Sequence, residues 1–353
     1  MSFNMVPPAK TTALIAPAIA SGLALFLWAA SGGREVLASA PSDAVRGEFE
    51  ALVQDVVHSD FHRYSAHDSA GRSMDTAKVI EDPAGGYLAI YHTQLATDSL
   101  FHVSVSASTD LMNWTFQADL GGNASQPYIT ALNNGAYITA WEQTPKNHLR
   151  FNYYTSRANL FSATSARTFD APMTLSTCAE GTPSIYSATL APDIDHSSLD
   201  VGAHYFDNCQ NDRQQRGTLT NFVSWQTSPQ PQVDNAILAW GVQGNIGDRD
   251  ALYYKGFQLG LNEGQLTHGD FGSWRVFCYD YQTHNADELH IVTDKGSTAF
   301  ANPSVTNLHA PNGKPAVFVG LYLMSQGAAK GEGGQLLYYR IYPPAENSRQ
   351  RRP

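Results

Sequence analysis

A repeat of about fifty residues constrains this chain more than any other feature. Two patterns alternate along it. The first is a small or polar pair, often with a following proline, that leads into a β-branched or aliphatic residue. It reads Asp75-Thr-Ala-Lys-Val79, Ser125-Gln-Pro-Tyr-Ile129, Gly181-Thr-Pro-Ser-Ile185, Asp248-Arg-Asp-Ala-Leu252 and Ala301-Asn-Pro-Ser-Val305, at spacings of 50, 56, 67 and 53 residues. The second is an alternating strand that ends in an aromatic and, in four of five copies, a polar residue: Tyr87–Thr93, Ala136–Gln143, Leu199–Asn208, Trp274–Gln282 and Ala316–Leu323. A third strand follows most copies, as at Phe101–Ala107 and Leu336–Tyr342. One such unit cannot bury both its faces, so the copies must stack, and five copies at this period predict an all-β, five-bladed β-propeller. A β-sandwich with long loops would not explain why the same two patterns alternate five times.

The last copy stops at Pro343-Pro344 one strand short, and Asp60–Ala66 is placed to close the ring from the other terminus. The stretch before it, Ala44–Val57, has helical periodicity and is expected to pack outside the first blade. The expected organisation is therefore a leader over 1–40, a helical segment over 41–59, the propeller over 60–343 and a polar, disordered tail over 344–353.

Charged residues make up only 15% of the chain, against roughly 25% in an average domain. With 42% hydrophobic residues and a net charge of −10, disorder is excluded. Acids outnumber bases 32 to 22, which argues against nucleic acid held on a basic face. Thr11–Ala30 is uncharged and apolar, and Ala38-Ser39-Ala40 offers a small-x-small cleavage pattern. A secretory signal peptide follows, with a membrane anchor as the alternative; Pro17 and Gly22 inside the apolar run weaken the anchor. The expected product is secreted and monomeric. Asn113-Trp-Thr and Asn123-Ala-Ser are glycosylation sequons.

In a propeller the innermost strand of each blade lines the axis, and the second strand runs back beside it. Strand-one starts and strand-two ends therefore open onto one funnel. The strand-one starts bring Asp75, Gln126, Glu180, Asp248, Arg249, Asp250 and Asn302. The strand-two ends bring His92, Glu142, Asp207, Asp280 and Tyr322. Carboxylates gathered in one concave site have their proton affinities pushed apart, as acid/base chemistry requires. Trp141, Tyr91, Phe206, Tyr279 and Tyr322 flank the strand ends and offer faces for a sugar ring, though blade packing uses the same residue types.

These residues resemble the five-bladed propeller glycoside hydrolases of the arabinanase, xylosidase and fructosidase type. Asp75 opens the first inner strand, where those enzymes keep a carboxylate base or nucleophile. Glu180-Gly-Thr-Pro is similar to their Glu-Gly-Pro motif, which carries the general acid, and Ser104–Thr115 is similar to their third strand. The chain departs from that pattern in having Asp75-Thr-Ala where Asp-Pro is usual, and Glu180 in the third blade where the motif normally opens the fourth. The resemblance implies hydrolysis of a poly- or oligosaccharide of arabinose, xylose, fructose or galactose type. Asp75 would be base or nucleophile and Glu180 acid, with Asp207 or Asp248 tuning it and Glu142 as a further catalytic candidate. His92, Gln126, Trp141, Arg249, Asp280, Asn302 and Tyr322 would bind substrate.

A lectin would repeat one pocket in every blade, whereas the strand-one starts here differ. A polysaccharide lyase would need a Tyr or His base beside an arginine, a role open to Tyr322, His92 and Arg249. No zinc, nucleotide or nucleophile-elbow motif is present. No cofactor is expected, although the fold would admit an axial Ca²⁺ or Na⁺. Cys178 precedes the third inner strand and Cys209 follows that blade's second strand, which makes them neighbours on the funnel face. A Cys178–Cys209 disulfide is expected, worth roughly 3 kcal/mol for a loop of this length. Cys278 falls inside an alternating strand and is expected to be a buried free thiol.

Overall fold

The computed structural model describes residues 41–342, without the side chains of Pro41, Asp248 and Arg249. The leader expected over 1–40 and the tail expected over 344–353 lie outside the described residues. Five four-stranded antiparallel sheets form the blades of a β-propeller. Blade one runs Asp75–Glu81, Tyr87–Gln94, Phe101–Ser108 and Thr115–Gly122. Blade two runs Ala124–Ala131, Tyr137–Gln143, His148–Tyr154 and Arg167–Asp170. Blade three runs Glu180–Leu190, Ser197–Asp207, Asn211–Thr220 and Ser224–Pro229. Blade four runs Ile246–Tyr254, Phe257–Gln265, Trp274–Asp280 and Ala286–Glu288. Blade five takes Phe300–His309, Pro315–Leu323 and Gly334–Ile341 from the C-terminal end, and its outer strand, Phe61–Arg63, from the N-terminal end. Phe61 pairs with Tyr339 and Arg63 with Leu337, so the two ends of the propeller close the ring as the sequence indicates.

Two expectations are corrected. In blade four the second strand is Phe257–Gln265; the Trp274–Gln282 segment assigned to that place is the third strand. The N-terminal helix, Pro41–Gln54, packs on blade four and not on blade one. Its Phe49 and Val53 are fully buried among Tyr254, Leu261, Val276 and Cys278, and Cys278 is a buried free thiol. The closing strand explains the placement: it belongs to blade five, so the segment leading into it is carried to the neighbouring blade.

Every inner strand carries a bulge near its start. In four blades the second residue of the repeat has a left-handed backbone: Thr76 (φ 56°), Gln126 (φ 54°), Thr182 (φ 55°) and Asn302 (φ 49°). In three of these a proline comes next, which is why the sequence pattern marks the spot. The bulge turns a backbone N–H out of its own ladder and toward the preceding blade. Thr76 N–H donates to Gln335 Oε1 of blade five (2.8 Å), Gln126 N–H to His92 Nδ1 of blade one (3.0 Å) and Asn302 N–H to Glu263 Oε2 of blade four. These bonds satisfy donors that would otherwise be buried without partners.

Below the bulges a salt bridge crosses the axis. Lys78 of blade one and Asp250 of blade four have side chains 5% and 0% exposed and are in direct contact. Lys78 Nζ also donates to the Val305 carbonyl of blade five (2.8 Å). Asp250 accepts from Tyr128 Oη of blade two (2.9 Å) and from Val305 N–H (2.8 Å). Burial lowers the proton affinity of Lys78 and raises that of Asp250, and their mutual attraction opposes both shifts. Removing one member of such a pair leaves an uncompensated buried charge. We therefore expect Lys78→Met to cost about 3–5 kcal/mol, and the double variant K78M/D250N to recover most of that loss. Urea unfolding of the three proteins checks this; a double variant no more stable than the single one would refute it.

The helix docks through a second charged cluster. Arg46 pairs with Asp287 (2.7 Å), Asp43 (3.0 Å), Asp280 (3.5 Å) and Glu50 (3.5 Å), four carboxylates around one guanidinium. Burial and the neighbouring Asp287 push Glu50 up to about 7. The native state therefore binds a proton that the unfolded chain has released above its ordinary value. The associated stability is complete below about pH 4.3 and is lost as pH rises toward 7 and beyond, by about 1–2 kcal/mol for a partly solvated group. Glu50→Gln should flatten that slope, and denaturation midpoints at pH 5 and pH 8 measure it. Equal slopes in both proteins would show that Glu50 is not its source.

Candidate functional site

The funnel mouth lies between blades two, three and four. A cavity of about 350 Å³ there is lined by Glu142, His204, Asp212, Glu263, Phe206 and Trp274, with Gln126 and Thr182 at the axial side. Glu142 is the next-to-last residue of the second strand of blade two, where Asn147 Nδ2 donates to its Oε1. Its other oxygen presses on bare backbone: a Cβ at Gly181 would meet Glu142 Oε2 at 2.1 Å and His204 Nε2 at 3.1 Å. A Cβ at 181 would therefore displace the end of the Glu142 side chain. Glu263, on the second strand of blade four, accepts the Asn302 N–H and walls the far side.

Asp75 opens the inner strand of blade one, opposite His92. Burial raises its proton affinity above the usual carboxylate range, against the lowering effects of the Ser73 hydroxyl (2.9 Å) and of His67. Burial, then the charge of Asp75, raises Tyr322 on the adjacent blade. His92 is buried and accepts from Gln126 N–H and pairs with Thr76 Oγ1, both at 3.0 Å. It thus ties blade one to blade two. Gln126 and Asn302 also line an axial hollow of about 20 Å³, room for one water, with Thr76, Lys78 and Ser304 around it.

Other expected site residues sit elsewhere. Glu180 is 1% exposed, and its Oε1 accepts the backbone N–H groups of Thr174 (2.6 Å), Leu175 (2.7 Å) and Ser176 (3.2 Å). It braces the loop that enters blade three. Asp207 lies at the hairpin tip of that blade, with Asn208 Nδ2 at 3.2 Å from its Oδ1. Trp141, expected to stack on a sugar, is 3% exposed in the core between blades one and two, with its Nε1–H on Gln143. Tyr91 and Tyr279 are likewise buried. Asp280 is on the third strand of blade four, away from the cavity, where it accepts the Gln282 N–H (2.8 Å) and faces Arg46. The slip of one strand in blade four accounts for its misplacement. The side chains of Asp248 and Arg249 lie outside the described ones. Asp250 is not at the mouth but in the axial pair.

Glu263, His204, Asp212 and Trp274 are missing from the sequence-based set. Glu263 follows from the same strand slip. His204 occupies in blade three the place of Glu142 in blade two, opposite the residue before the bulge. Blade three's second strand runs three residues beyond it, to Asp207, which drew attention to the wrong end.

The Cys178–Cys209 disulfide is present, with a Cα–Cα distance of 5.7 Å. It pins the loop braced by Glu180 to the hairpin beside Phe206. Among the described residues no group of three His, Cys, Asp or Glu is placed to hold a metal ion. No helix among them is long and apolar enough to cross a membrane.

The fold and the site define a five-bladed β-propeller with an acidic, aromatic-walled funnel. No protein-family model matches the sequence, and no curated protein matches it. Solved structures do. Sucrose-6-phosphate hydrolase from Lactobacillus gasseri is 10% identical with a TM-score of 0.51, over 85% of this chain and 65% of that one. An α-L-arabinofuranosidase from Lactobacillus brevis is 7% identical with a TM-score of 0.49, over 77% and 91%. An exo-β-1,3-galactanase from Phanerochaete chrysosporium is 11% identical with a TM-score of 0.46, over 80% and 66%. This chain therefore spans about two thirds of the length of the first and last of these. At such identities the likeness is one of fold.

Glu180 as a loop brace has a consequence. Glu180→Gln keeps an acceptor oxygen for the three N–H groups, whereas Glu180→Ala leaves them unsatisfied and should cost about 3 kcal/mol or more. Thermal unfolding distinguishes the two variants. A Gln variant as destabilised as the Ala variant would show that the bonds to the loop are not what Glu180 provides.

Proposed function

We propose that the protein is a secreted glycoside hydrolase that cleaves a poly- or oligosaccharide at the funnel mouth. The observation that carries this is the pair of carboxyl groups there, Glu142 and Glu263 on the walls of one cavity, with Asp75 at the head of the inner strand of blade one. Glycoside hydrolysis needs one carboxyl group holding a proton for the leaving oxygen and one ionised group that activates water or attacks the anomeric carbon. Asp75 suits the first role, because its burial favours the protonated form. Glu142 and Glu263 each accept an amide N–H and present carboxylate oxygens to the cavity for the second. The acid role passes from Glu180 to Asp75, because Glu180 is 1% exposed, does not line the cavity and uses its Oε1 to accept three N–H groups of the incoming loop.

The cavity is of a size that holds a sugar ring, and Phe206 and Trp274 offer apolar faces beside its acidic wall. The fold shared with sucrose-6-phosphate hydrolase supports a carbohydrate substrate. A disulfide supports an oxidising compartment, and hence secretion. Reducing-sugar release from arabinan, xylan, galactan and fructan tests the proposal. Wild-type protein should hydrolyse at least one, and Asp75→Asn, Glu142→Gln and Glu263→Gln should each lower kcat by about 10²–10⁴-fold with folding intact. Binding without cleavage would make the protein a glycan-binding propeller; full activity in any of the three variants would remove that residue from the mechanism.

A further inference from the structure

On the blade-one side of the funnel stands an aromatic ring that the proposed chemistry has not used. Phe101 opens the third strand of blade one and pairs with Gln94, the last residue of the second strand. It is 41% exposed, although it is large and apolar. A single exposed phenylalanine is ordinary on a protein surface. This one is set apart by where its ring lies and by how its backbone is held.

The ring meets that of His92 edge to face, with 4.8 Å between centroids and 72° between planes. His92 is buried and accepts the N–H of Gln126 at 3.0 Å. Gln126 in turn lines the cavity that holds Glu142 and Glu263. Across the ladder His92 pairs with Asp75. One imidazole therefore links the Phe101 ring to the cavity wall and to the strand that carries Asp75. An edge-to-face contact covers at most one face of a ring, and the exposure of Phe101 leaves the other toward solvent.

The backbone at Phe101 is clasped on both sides. Asp98 Oδ1 accepts the Leu100 N–H (3.0 Å), and Asp98 Oδ2 is bonded to His102 Nε2 (2.8 Å). His102 Nδ1 is bonded to Asp119 on the fourth strand (3.0 Å), which Arg72 also holds at 3.1 Å. Ionised carboxylates only accept, so both ring nitrogens donate and His102 is an imidazolium. Burial disfavours that charge, but Asp98 and Asp119 outweigh it and raise the proton affinity of the ring. The bare backbone of Gly122 admits the imidazole: a Cβ there would meet His102 Cε1 at 2.9 Å. Successive residues of a strand point to opposite faces, so turning His102 to Asp119 turns Phe101 to His92.

We propose that Phe101 is a substrate-binding residue of the funnel, whose open face stacks on the sugar unit next to the one held in the cavity. A sugar ring presents a face of C–H groups, and a pre-set aromatic ring receives it at little ordering cost. The inference rests on the hydrolase proposal for the identity of its ligand, and the test separates the two. The probes are hexasaccharides of arabinose, xylose, galactose and fructose. On whichever of these the wild type cleaves, Phe101→Ala should raise KM about tenfold with kcat within about twofold, the mark of lost ground-state binding. Phe101→Tyr keeps a flat ring and should keep the wild-type KM. Phe101→Leu keeps bulk without the ring and should behave as Phe101→Ala, which makes it the test if the alanine variant does not fold. The thermal midpoint should stay at the wild-type value in the leucine and tyrosine variants. An unchanged KM in Phe101→Ala or Phe101→Leu, or a fall in kcat alone, overturns the inference. If the wild type cleaves none of the four, the hydrolase proposal fails, and calorimetric titration with the same hexasaccharides decides the inference by itself. Binding about tenfold weaker in Phe101→Ala then sustains it. Equal affinity, or no binding by the wild type, overturns it.

Discussion

One buried ion pair on the axis gives the ring its order. Lys78 and Asp250 come from blades that are not neighbours in sequence, and their remaining hydrogen bonds are supplied by Tyr128 and by the main chain at Val305. Four of the five blades therefore contribute to one polar knot. Five similar sheets have little in their apolar faces to say which should stand next to which; the clusters between blades are built from the same Val, Leu, Ile, Tyr and Phe. The knot supplies that information. Only one arrangement gives the ammonium both a carboxylate and a carbonyl, and gives the carboxylate its hydroxyl and N–H. The desolvation of two charges makes such a pair a poor source of net stability, so its effect is on arrangement. The funnel above it inherits a fixed cast: the same inner strands that meet at the knot carry Asp75, Gln126 and Asn302 near their starts.

The ring was legible in the sequence because the bulge leaves a mark. A left-handed residue followed by proline is rare inside a strand, and Gln126-Pro127, Thr182-Pro183 and Asn302-Pro303 repeat it. The fourth blade lacks the proline, and its second strand reads Phe-Gln-Leu-Gly-Leu-Asn-Glu-Gly-Gln, with two glycines and buried residues on both faces. Phe257, Leu259 and Leu261 do alternate with Gln258, Gly260 and Asn262, but the strand lacks the closing aromatic-polar pair, so the pattern settled on the next strand, which ends in Tyr279-Asp280. That single slip hid Glu263 and put Asp280 in its place. The N-terminal helix shows the same limit. Its apolar stripe says that it packs, but periodicity carries no information on the surface that receives it.

Glu180 illustrates how a short motif misleads when the backbone is unknown. Glu-Gly-Thr-Pro places a carboxylate beside the bulge, but neighbouring residues of a strand point to opposite faces. Gly181 has its bare side toward Glu142 and His204. Glu180 must then point the other way, toward the incoming loop, where three N–H groups receive it. The glycine of the motif marks the cavity, and the glutamate before it marks the wall behind.

The low charge content acquires its meaning from the same accounting. Most buried acids in this chain satisfy loop donors. Asp68 takes the N–H groups of Ala70 and Arg72 (2.8 and 3.0 Å), Glu332 those of Lys295 and two hydroxyls, and Asp280 those of Gln282 and Thr283. Long connections between short strands leave many N–H groups under the surface, and an acid is the side chain that can accept several at once. A buried carboxylate is therefore weak evidence of chemistry here. Glu142 and Glu263 differ in lining a cavity of sugar size, and Asp75 differs in being half-buried with one hydroxyl donor and a raised proton affinity. The residues that distinguish the site are thus separated from the rest by what their oxygens face. That property depends on register and strand order, and residue type alone does not reveal it.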